Sequence, residues 1–248
     1  MKYMKDTKNV LYFAGIIGGS LILSALIGGV SMYKMRSLDN VLSVTGSART
    51  HVVADQVKWS ASFSRVVRQS DLKKGYAMIA ADLTLVKAFY ASHGLDDSSI
   101  TISPASMMDY YDYSSSPSSP AKEKQYSISQ TITVNSSDVA GVTDIAKQSS
   151  ALIDKGVIFM SSSPEYYYSG LSDLRVSLLS SAIHDARNRA EKIAESSGER
   201  VGSLRSASSG VVQVLPAHSV DVSDYGTYDT SSIDKEVMLT VKAAFSMR

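Results

Sequence analysis

The sequence predicts an α+β protein built from antiparallel sheets with packed helices, preceded by one N-terminal transmembrane helix. Three observations support this fold class. Residues 10–32 form an uncharged apolar run of 23 residues. Apolar and polar residues alternate along residues 53–63, as in a half-buried strand, and apolar residues recur every three or four positions along residues 72–90, as in a helix. Strands and helices then follow one another in two β-α-β rounds.

The apolar run is long enough to cross a membrane. At 1.5 Å per residue it spans about 34 Å, which matches a bilayer core with some tilt. It is longer than the apolar centre of a cleaved signal peptide, and no A-x-A pattern follows it. We therefore predict a tail at residues 1–9, an uncleaved signal anchor at 10–33, a linker at 34–40 and one domain at 41–248. Three basic residues precede the run and two closely follow it, which favours a cytoplasmic N-terminus.

Small residues recur at intervals of four along this helix. Such spacing lets membrane helices approach closely, so it predicts that the helix packs against a copy of itself. The general abundance of glycine in membrane helices would explain the same pattern. The small residues are Gly15, Gly19, Ser20, Ser24 and Gly28.

The first round of the domain reads β-β-α-β-β. The predicted elements are strands at 41–46 and 53–63, a helix at 72–90, and strands at 99–103 and 126–134. The strand at 41–46 is either the hairpin partner of the next strand or the segment leading into it. Ser70 or Asp71 is expected to cap the helix and Gly94 to end it. The last two strands form a hairpin whose long tip includes residues 107–120.

The second round contains two helices and three strands. The predicted elements are a helix at 138–155, a strand at 157–163, a helix at 171–197, and strands at 211–217 and 237–245. The long second helix carries alanines at steps of four, which allow it to lie close to a sheet or another helix. This close-packed face consists of Ala182, Ala186, Ala190 and Ala194.

Composition excludes several classes of function. Without cysteine, the chain has neither disulfides nor thiolate metal sites. Beyond residue 36 it carries 20 basic and 23 acidic residues, a formal charge of −3, and therefore no basic field for nucleic acid. The four histidines lie in different elements, and the acidic loops do not show the spacing of calcium ligands. No nucleotide-binding or hydrolase motif occurs, so the sequence predicts no catalytic residue, cofactor or metal.

Tyrosines are concentrated in three serine-rich stretches. These stretches contain eight of the fourteen tyrosines: Tyr110, Tyr111, Tyr113, Tyr166, Tyr167, Tyr168, Tyr225 and Tyr228. They are open to three interpretations, namely exposed disorder, a stacking site for a ligand, or contacts between subunits. A ligand site would require three separate loops to converge. We favour subunit contacts, because tyrosine offers a large contact area and a hydroxyl at low entropic cost.

Several stretches resemble one known family. The segment VTGSARTHVVADQVKWSASF (residues 44–63) resembles its opening, and the segments at 210–217 and 224–245 resemble its terminal strands. The long helix resembles its signature A-x-x-D-A-x-x-x-A-x-x-x-A-x-x-x-G-x-x-x-G. That signature is carried by Ala182, Asp185, Ala186, Ala190, Ala194, Gly198 and Gly202. On these motifs the chain is identified as a member of the SIMPL-domain family. It departs at Ser47, where a second glycine is common, so a tighter turn is expected there in relatives.

The resemblance implies an extracytoplasmic bacterial protein without established enzymatic activity. Some members form large homo-oligomeric rings, and links to envelope or oxidative stress are reported for the family. It therefore implies a non-enzymatic, single-pass protein of the bacterial inner membrane, with its domain in the periplasm or outside the cell. The implied partners are copies of itself, in a ring or cage, and membrane lipid. The alternative is a periplasmic ligand-binding protein with a tyrosine-lined pocket, and a third reading is a hydrolase with an unrecognised site.

Overall fold

The structure is a computed structural model that describes residues 3–37, 40–111, 123–219 and 225–248. Packed helices and antiparallel sheets confirm the predicted α+β class. The α-helices in these ranges are α1 (Tyr3–Ser37), α2 (Leu72–Ser92), α3 (Val139–Gln148), α4 (Ala151–Asp154) and α5 (Leu171–Ser197). The strands are β1 (Val41–Val53), β2 (Gln56–Arg68), β3 (Ile100–Ile102), β4 (Ser106–Tyr110), β5 (Gln125–Ser136), β6 (Phe159–Ser161), β7 (Glu165–Tyr167), β8 (Val201–Ser209), β9 (Gln213–Pro216) and β10 (Asp234–Met247).

The chain divides into two compact units. The terminal unit comprises Met1–Ala48, Leu179–Gly210 and Leu239–Arg248. The central unit comprises Arg49–Leu178 and Val211–Met238. Strands β1 and β10 and helix α5 each contribute residues to both units.

The central unit is built on a six-stranded antiparallel sheet around β2 and β5. These two strands pair without interruption from Val57 opposite Ser136 to Arg68 opposite Gln125. Strands β3 and β4 pair with the other edge of β5, and β6 and β7 pair with the other edge of β2. Because side chains alternate across a strand, the apolar residues of β2 and β5 share one face and the hydroxyl residues the other.

The apolar face of this sheet forms the core together with α2 and α3. The side chains that are fully buried there include Trp59, Phe63, Val86, Tyr90, Ile128, Ile132 and Val142. Each large apolar side chain contributes about 1.5–3 kcal/mol by its removal from water. Helix α2 turns most of its predicted apolar stripe to the core, but Tyr76 of that stripe is exposed. The helix is followed by Gly94 in a left-handed conformation (φ +82°). Asp71 precedes α2, but its side chain makes no capping hydrogen bond, contrary to the expected cap.

An ion pair is embedded beside this core. Arg65 on β2 donates two hydrogen bonds to the carboxylate of Asp82 on α2, both at 2.7 Å, and a third to the carbonyl of Gly156 at 2.7 Å. The side chain of Asp82 is only 5% exposed. The hydrogen bond to Asp82 raises the pKa of Arg65, so the guanidinium stays charged. The pair ties α2 and the segment after α4 to the central strand.

In the terminal unit, β10 lies between β1 and β8, and α5 packs on the sheet. The four alanines at steps of four on α5 are all buried. Three of them, Ala182, Ala186 and Ala190, pack against Val241, Ala243 and Phe245 of β10. Short alanine side chains bring the helix axis close to the strand. The left-handed Gly198 (φ +78°) follows the last turn of α5, where the sequence predicts the helix to end.

Several local predictions are wrong. Strands β4, β7 and β8 were not expected, and the predicted hairpin tip at residues 107–120 therefore begins inside β4. The helix predicted at 138–155 is divided into α3 and α4 at Ser149 and Ser150. Of the two alternatives for β1, the structure bears out the second, because β1 and β2 lie in different sheets and β1 leads into β2 without pairing with it. β1 also runs straight through Ser47, where a turn was expected.

Helix α1 contains the apolar run. Among the helices that the structure describes, only the segment Tyr12–Tyr33 of α1 is long and apolar enough to cross a membrane. The side chains of its large apolar residues are exposed, as they would be in contact with lipid. The same length and composition also fit a signal sequence, so these features alone identify a candidate span.

Candidate functional surfaces

Two of the three tyrosine stretches meet in the central unit. The backbone amide of Tyr166 donates to the carbonyl of Thr230 at 2.8 Å, and that of Tyr168 donates to the hydroxyl of Tyr228 at 3.1 Å. The rings of Tyr167 and Tyr228 lie 5.9 Å apart between centroids. Strand β7 and the loop before β10 therefore form one aromatic cluster, although more than fifty residues separate them in sequence.

The tyrosines of this cluster have different environments. Tyr166 is buried, and its hydroxyl lies 3.0 Å from the hydroxyl of Thr143 on α3. Tyr167 donates a 2.6 Å hydrogen bond to Glu165, which raises the pKa of Tyr167 to about 12 and lowers the pKa of Glu165. Tyr225, in contrast, is 96% exposed. Tyr166 is thus structural, whereas the side chain of Tyr225 is exposed.

Asp229 organises the loop that carries Tyr228. Its carboxylate accepts hydrogen bonds from the amides and hydroxyls of Ser231 and Ser232, and the buried Lys235 ammonium donates to its carbonyl at 2.6 Å. Burial acts to raise the pKa of Asp229, but the hydrogen bonds from Ser231 and Ser232 outweigh it. The pKa of Asp229 therefore lies well below its usual value. The acidic residue is a structural anchor of the loop.

The first tyrosine stretch lies at the opposite end of the same sheet. Tyr110 ends β4, which pairs with the part of β5 that lies beside Arg68, whereas β7 pairs with β2 at Val57. Eleven residues of β2 separate the two positions, which corresponds to about 36 Å. Tyr110 and Tyr111 are 45% and 67% exposed, and Tyr113 lies outside the described residues. The described residues of the three stretches therefore do not line one common pocket.

A groove lined with hydroxyl groups crosses the outer face of the central sheet. It has a volume of about 320 Å³. Its lining consists of Ser60, Ala61, Ser62, Thr131, Met160, Ser161 and Ser162. None of these side chains titrates near neutral pH, so the groove has no acid or base for catalysis. Within the ranges that the structure covers, no three His, Asp or Glu side chains are grouped to hold a metal ion.

The residues of the signature helix converge on one point of β1. Gly46 is buried beneath α5, and a Cβ atom on it would overlap the carbonyl oxygen of Ala182 and the amide nitrogen of Ala186. The carboxylate of Asp185 accepts a 2.8 Å hydrogen bond from the backbone amide of Ser47 and a second from Arg189. Glycine, alanine and aspartate thus form a joint between a strand and a helix.

A comparison with protein families agrees with this geometry. The model of the SIMPL family, described as a protein of unknown function (DUF541), matches residues 42–245. The chain belongs to the SIMPL family. The match includes the opening strand, the signature helix and the terminal strand of this SIMPL protein, and no curated protein matches the chain. SIMPL is not a known enzyme family, and its description gives no function.

The structure gives the SIMPL signature a physical meaning that the sequence did not show. The sequence marked the signature helix and the opening strand separately, but it did not show that Gly46 and Ser47 contact the helix. Ser47 and Asp185 are 138 residues apart in sequence. The available signal for this contact was Gly46 itself, because a glycine inside a strand often marks the close approach of another backbone. Nothing in the sequence indicated that Asp185 holds the backbone of that strand.

Proposed function

We propose that this SIMPL protein is a membrane-anchored, non-enzymatic scaffold of the bacterial envelope that assembles with copies of itself into a ring or cage. In this proposal α1 is an uncleaved anchor in the inner membrane, with its N-terminus in the cytoplasm. The globular units then lie in the periplasm or outside the cell. Lipid surrounds α1, and the stripe from Gly15 to Gly28 is where neighbouring anchors pack.

The observation that carries self-assembly is the exposure of aromatic rings in the two tyrosine stretches that contact opposite ends of the central sheet. Tyr225 is 96% exposed and Tyr111 is 67% exposed, and Met108 beside Tyr110 is 68% exposed. Solvated loops do not require such rings, whereas subunit interfaces are enriched in tyrosine and methionine. Two such patches about 36 Å apart suit contacts with two different neighbours better than one ligand.

The decisive experiment measures the size of the particle. The full-length protein is extracted in mild detergent and examined by electron microscopy and by light scattering that corrects for bound detergent. We expect closed particles of uniform subunit number. A monomer would overturn the proposal. It would favour the alternative, a ligand-binding protein that uses the Tyr167–Tyr228 cluster.

The contribution of the tyrosines is tested by substitution. Deleting the first stretch would damage β4, because Ser106–Tyr110 pairs with β5. The variant Tyr110→Ser/Tyr111→Ser removes two exposed rings and keeps the strand. We expect it to shift the particles towards smaller species. The matched control is Tyr76→Ser, a 43% exposed tyrosine on α2, which should leave particle size unchanged. Equal particle sizes in both variants would exclude this stretch from the interface.

The link to envelope and oxidative stress rests on the family resemblance. A deletion strain compared with its parent under peroxide and under detergent stress tests it. Equal growth under both conditions would remove this part of the proposal.

A further inference from the structure

The sheet of the terminal unit ends in two open edges. The strand order β1-β10-β8 leaves one side of β1 and one side of β8 without a strand partner among the described residues. An open edge exposes a row of backbone N–H and C=O groups that can pair with another strand. Proteins normally protect such edges with lysine, proline, bulges or a covering element.

Strand β8 is protected only in its first half. Its register with β10 shifts twice between Val201 and Ser206, which indicates bulges, and its one charged residue, Arg205, lies in the same half. From Ser206 to Ser209 the pairing is regular, opposite Ala244 to Val241. These four residues have small side chains, all exposed, with neither lysine nor proline. The second half of β8 is therefore an open edge to which another backbone has access.

Strand β1 is unprotected in its first half. The segment Val41–Ala48 carries no charge. The amide of Met247 donates to the carbonyl of Asn40, so the backbone of Asn40 faces β10. Alternate residues of an antiparallel strand face the same neighbour, and Ser43, Thr45 and Ser47 therefore face the open side. The amide of Ser47 already donates a hydrogen bond to the carboxylate of Asp185. The backbone groups of Ser43 and Thr45 therefore remain available at the edge.

The two open segments lie at the same level of the sheet. The amide of Met247 donates to the carbonyl of Asn40, which places these two residues opposite each other. The guanidinium of Arg49 reaches the sulfur of Met238, which is compatible with a regular antiparallel register from there. Counting along this register places Ser43 opposite Ala244, and Ala244 lies opposite Ser206. Since both outer strands are antiparallel to β10, β1 and β8 run in the same direction.

The hydrogen-bonding positions on the two edges also match. The amide of Gly210 donates to Thr240 of β10, so Ser209 and Ala207 face the open side of β8. In a parallel pair, a residue whose backbone groups point at the neighbouring strand lies opposite a residue whose backbone groups point the other way. It bonds to the two residues that flank this opposite residue. Ser43 opposite Ser206 meets this condition, because its groups reach towards Arg205 and Ala207.

The N-terminal helix sets how copies can meet. Only three residues separate α1, which ends at Ser37, from β1, which begins at Val41. Copies anchored in one membrane have the same orientation relative to that membrane. A closed assembly of such copies therefore has its symmetry axis along the membrane normal. Rotation about this axis brings one edge of a copy against the other edge of its neighbour, which is the heterologous contact that closes rings. The strands that meet at such a contact run in the same direction.

We propose that the second half of β8 of one copy pairs in parallel with the first half of β1 of the next copy. This inference rests on the proposed self-assembly and identifies its joint. The sheet of the terminal unit would then continue from subunit to subunit, and the partner is a second copy of this chain. In the register that places Ser43 opposite Ser206, residues 43–46 lie opposite Ser206–Ser209, with Asp185 ending the joint at Ser47.

Cysteine crosslinking tests the joint, and the cysteine-free chain makes it direct. The full-length variant Ser43→Cys/Ser206→Cys is oxidised in detergent and run on a non-reducing gel. A disulfide requires Cα atoms within about 7 Å, so only neighbouring strands can form it. We expect a ladder of dimers, trimers and higher multimers. Because tilted strands shift the register, Val41→Cys and Thr45→Cys are each also paired with Ser206→Cys.

The controls separate the joint from chance collision. Either single variant has no partner at a heterologous joint and should stay monomeric on the gel. The pair Ser43→Cys/Ser98→Cys, with an exposed serine of the central unit, should give no ladder. Light scattering on the same samples separates the two proposals. Particles of full size without a ladder in any register would overturn the joint alone, whereas a monomer would overturn both.

A blocking variant gives a second measurement. Ala207→Pro removes an amide that faces the open side and leaves the bonds to β10 intact, a position where proline is tolerated in edge strands. We expect the variant to keep the circular dichroism spectrum of the unaltered protein but to form smaller particles. Full-size particles from this variant would count against pairing at β8.

Discussion

Gly46 shows how a single residue can fix the distance between two elements. A side chain here would meet backbone atoms of α5, which cannot rotate away, and the Cβ of Ala186 at 2.7 Å. We expect Gly46→Ala to lower the free energy of unfolding by about 1–3 kcal/mol, the usual cost of overpacking. Chemical denaturation of the detergent-solubilised protein measures it. Thr45→Ala, at the exposed neighbouring position, serves as the control, and equal midpoints for the two variants would contradict the close approach.

The Arg65–Asp82 pair is expected to be far more sensitive than the ion pairs at the surface. Replacing Asp82 by asparagine leaves the guanidinium of Arg65, which is 19% exposed, without a countercharge. We expect a loss of about 3 kcal/mol, since an unpaired buried charge costs that much. The comparison is Asp97→Asn, whose partner Lys87 is in water and which should have little effect. Thermal unfolding monitored by circular dichroism distinguishes the two.

Asp229 gives the central unit an acid-sensitive loop. Its pKa is lower in the folded protein than in the unfolded chain. The resulting stability is present above the unfolded value of about 3.9 and is lost as the pH falls towards the folded pKa. We expect Asp229→Asn to be less stable than the unaltered protein at pH 7, with a difference that shrinks below about pH 4. A constant difference from pH 7 to pH 3 would show that the carboxylate charge does not contribute. Asp144→Asn on the surface of α3 is the matched control.

At the scale of elements, the alanine face of α5 limits what the helix can carry. Ala190 is fully buried against β10, so a larger side chain has no space. We expect Ala190→Leu to destabilise the protein by about 1–3 kcal/mol. Asn188→Leu, on the exposed side of the same turn, should change the stability little, and denaturant midpoints provide the measurement. A neutral Ala190→Leu would mean that α5 can move away from the strand.

Elements with a clear period were predictable, and elements without one were not. Helices α2 and α5 and strands β2, β5 and β10 are each buried on one face. Burial on one face places apolar residues at a regular spacing, which can be read from the sequence. Strand β8 is exposed on both faces from Ser203 onwards, so its sequence VGSLRSASS has no alternation to read. Strand β7 has three residues, too few for a pattern. Which strands pair depends on contacts distant in sequence, such as Ser47 with Asp185, and periodicity carries no information about them.

The candidate surfaces follow the same rule. The sequence marked the tyrosines by their abundance, since aromatic rings are unusual among serines and prolines. It did not show that Tyr166 is buried or that Tyr167 and Tyr228 meet, because both depend on how the 225–232 loop folds onto β7. The open edges of β1 and β8 were equally hidden, as an edge is a property of the strand order.

For the whole molecule, the fate of α1 decides where the protein works. If α1 is an anchor, the full-length protein should remain with membranes after an alkaline carbonate wash, and a variant that lacks residues 1–39 should be released. Intact-mass measurement of the native protein checks the other reading. A mature chain that begins beyond Tyr33 would show that the apolar helix is a signal sequence and would remove the shared orientation on which the proposed ring depends.

Trp59 makes the two units separately observable. It is the chain's only tryptophan, and it is fully buried in the central unit, where its indole donates to Ser161 at 2.9 Å. Indole emission during denaturation therefore reports on the central unit alone, whereas far-ultraviolet circular dichroism sums the helices and strands of both. If the two signals change at different denaturant concentrations, the chain has its own spectroscopic means of assigning each transition to a unit, without any added label.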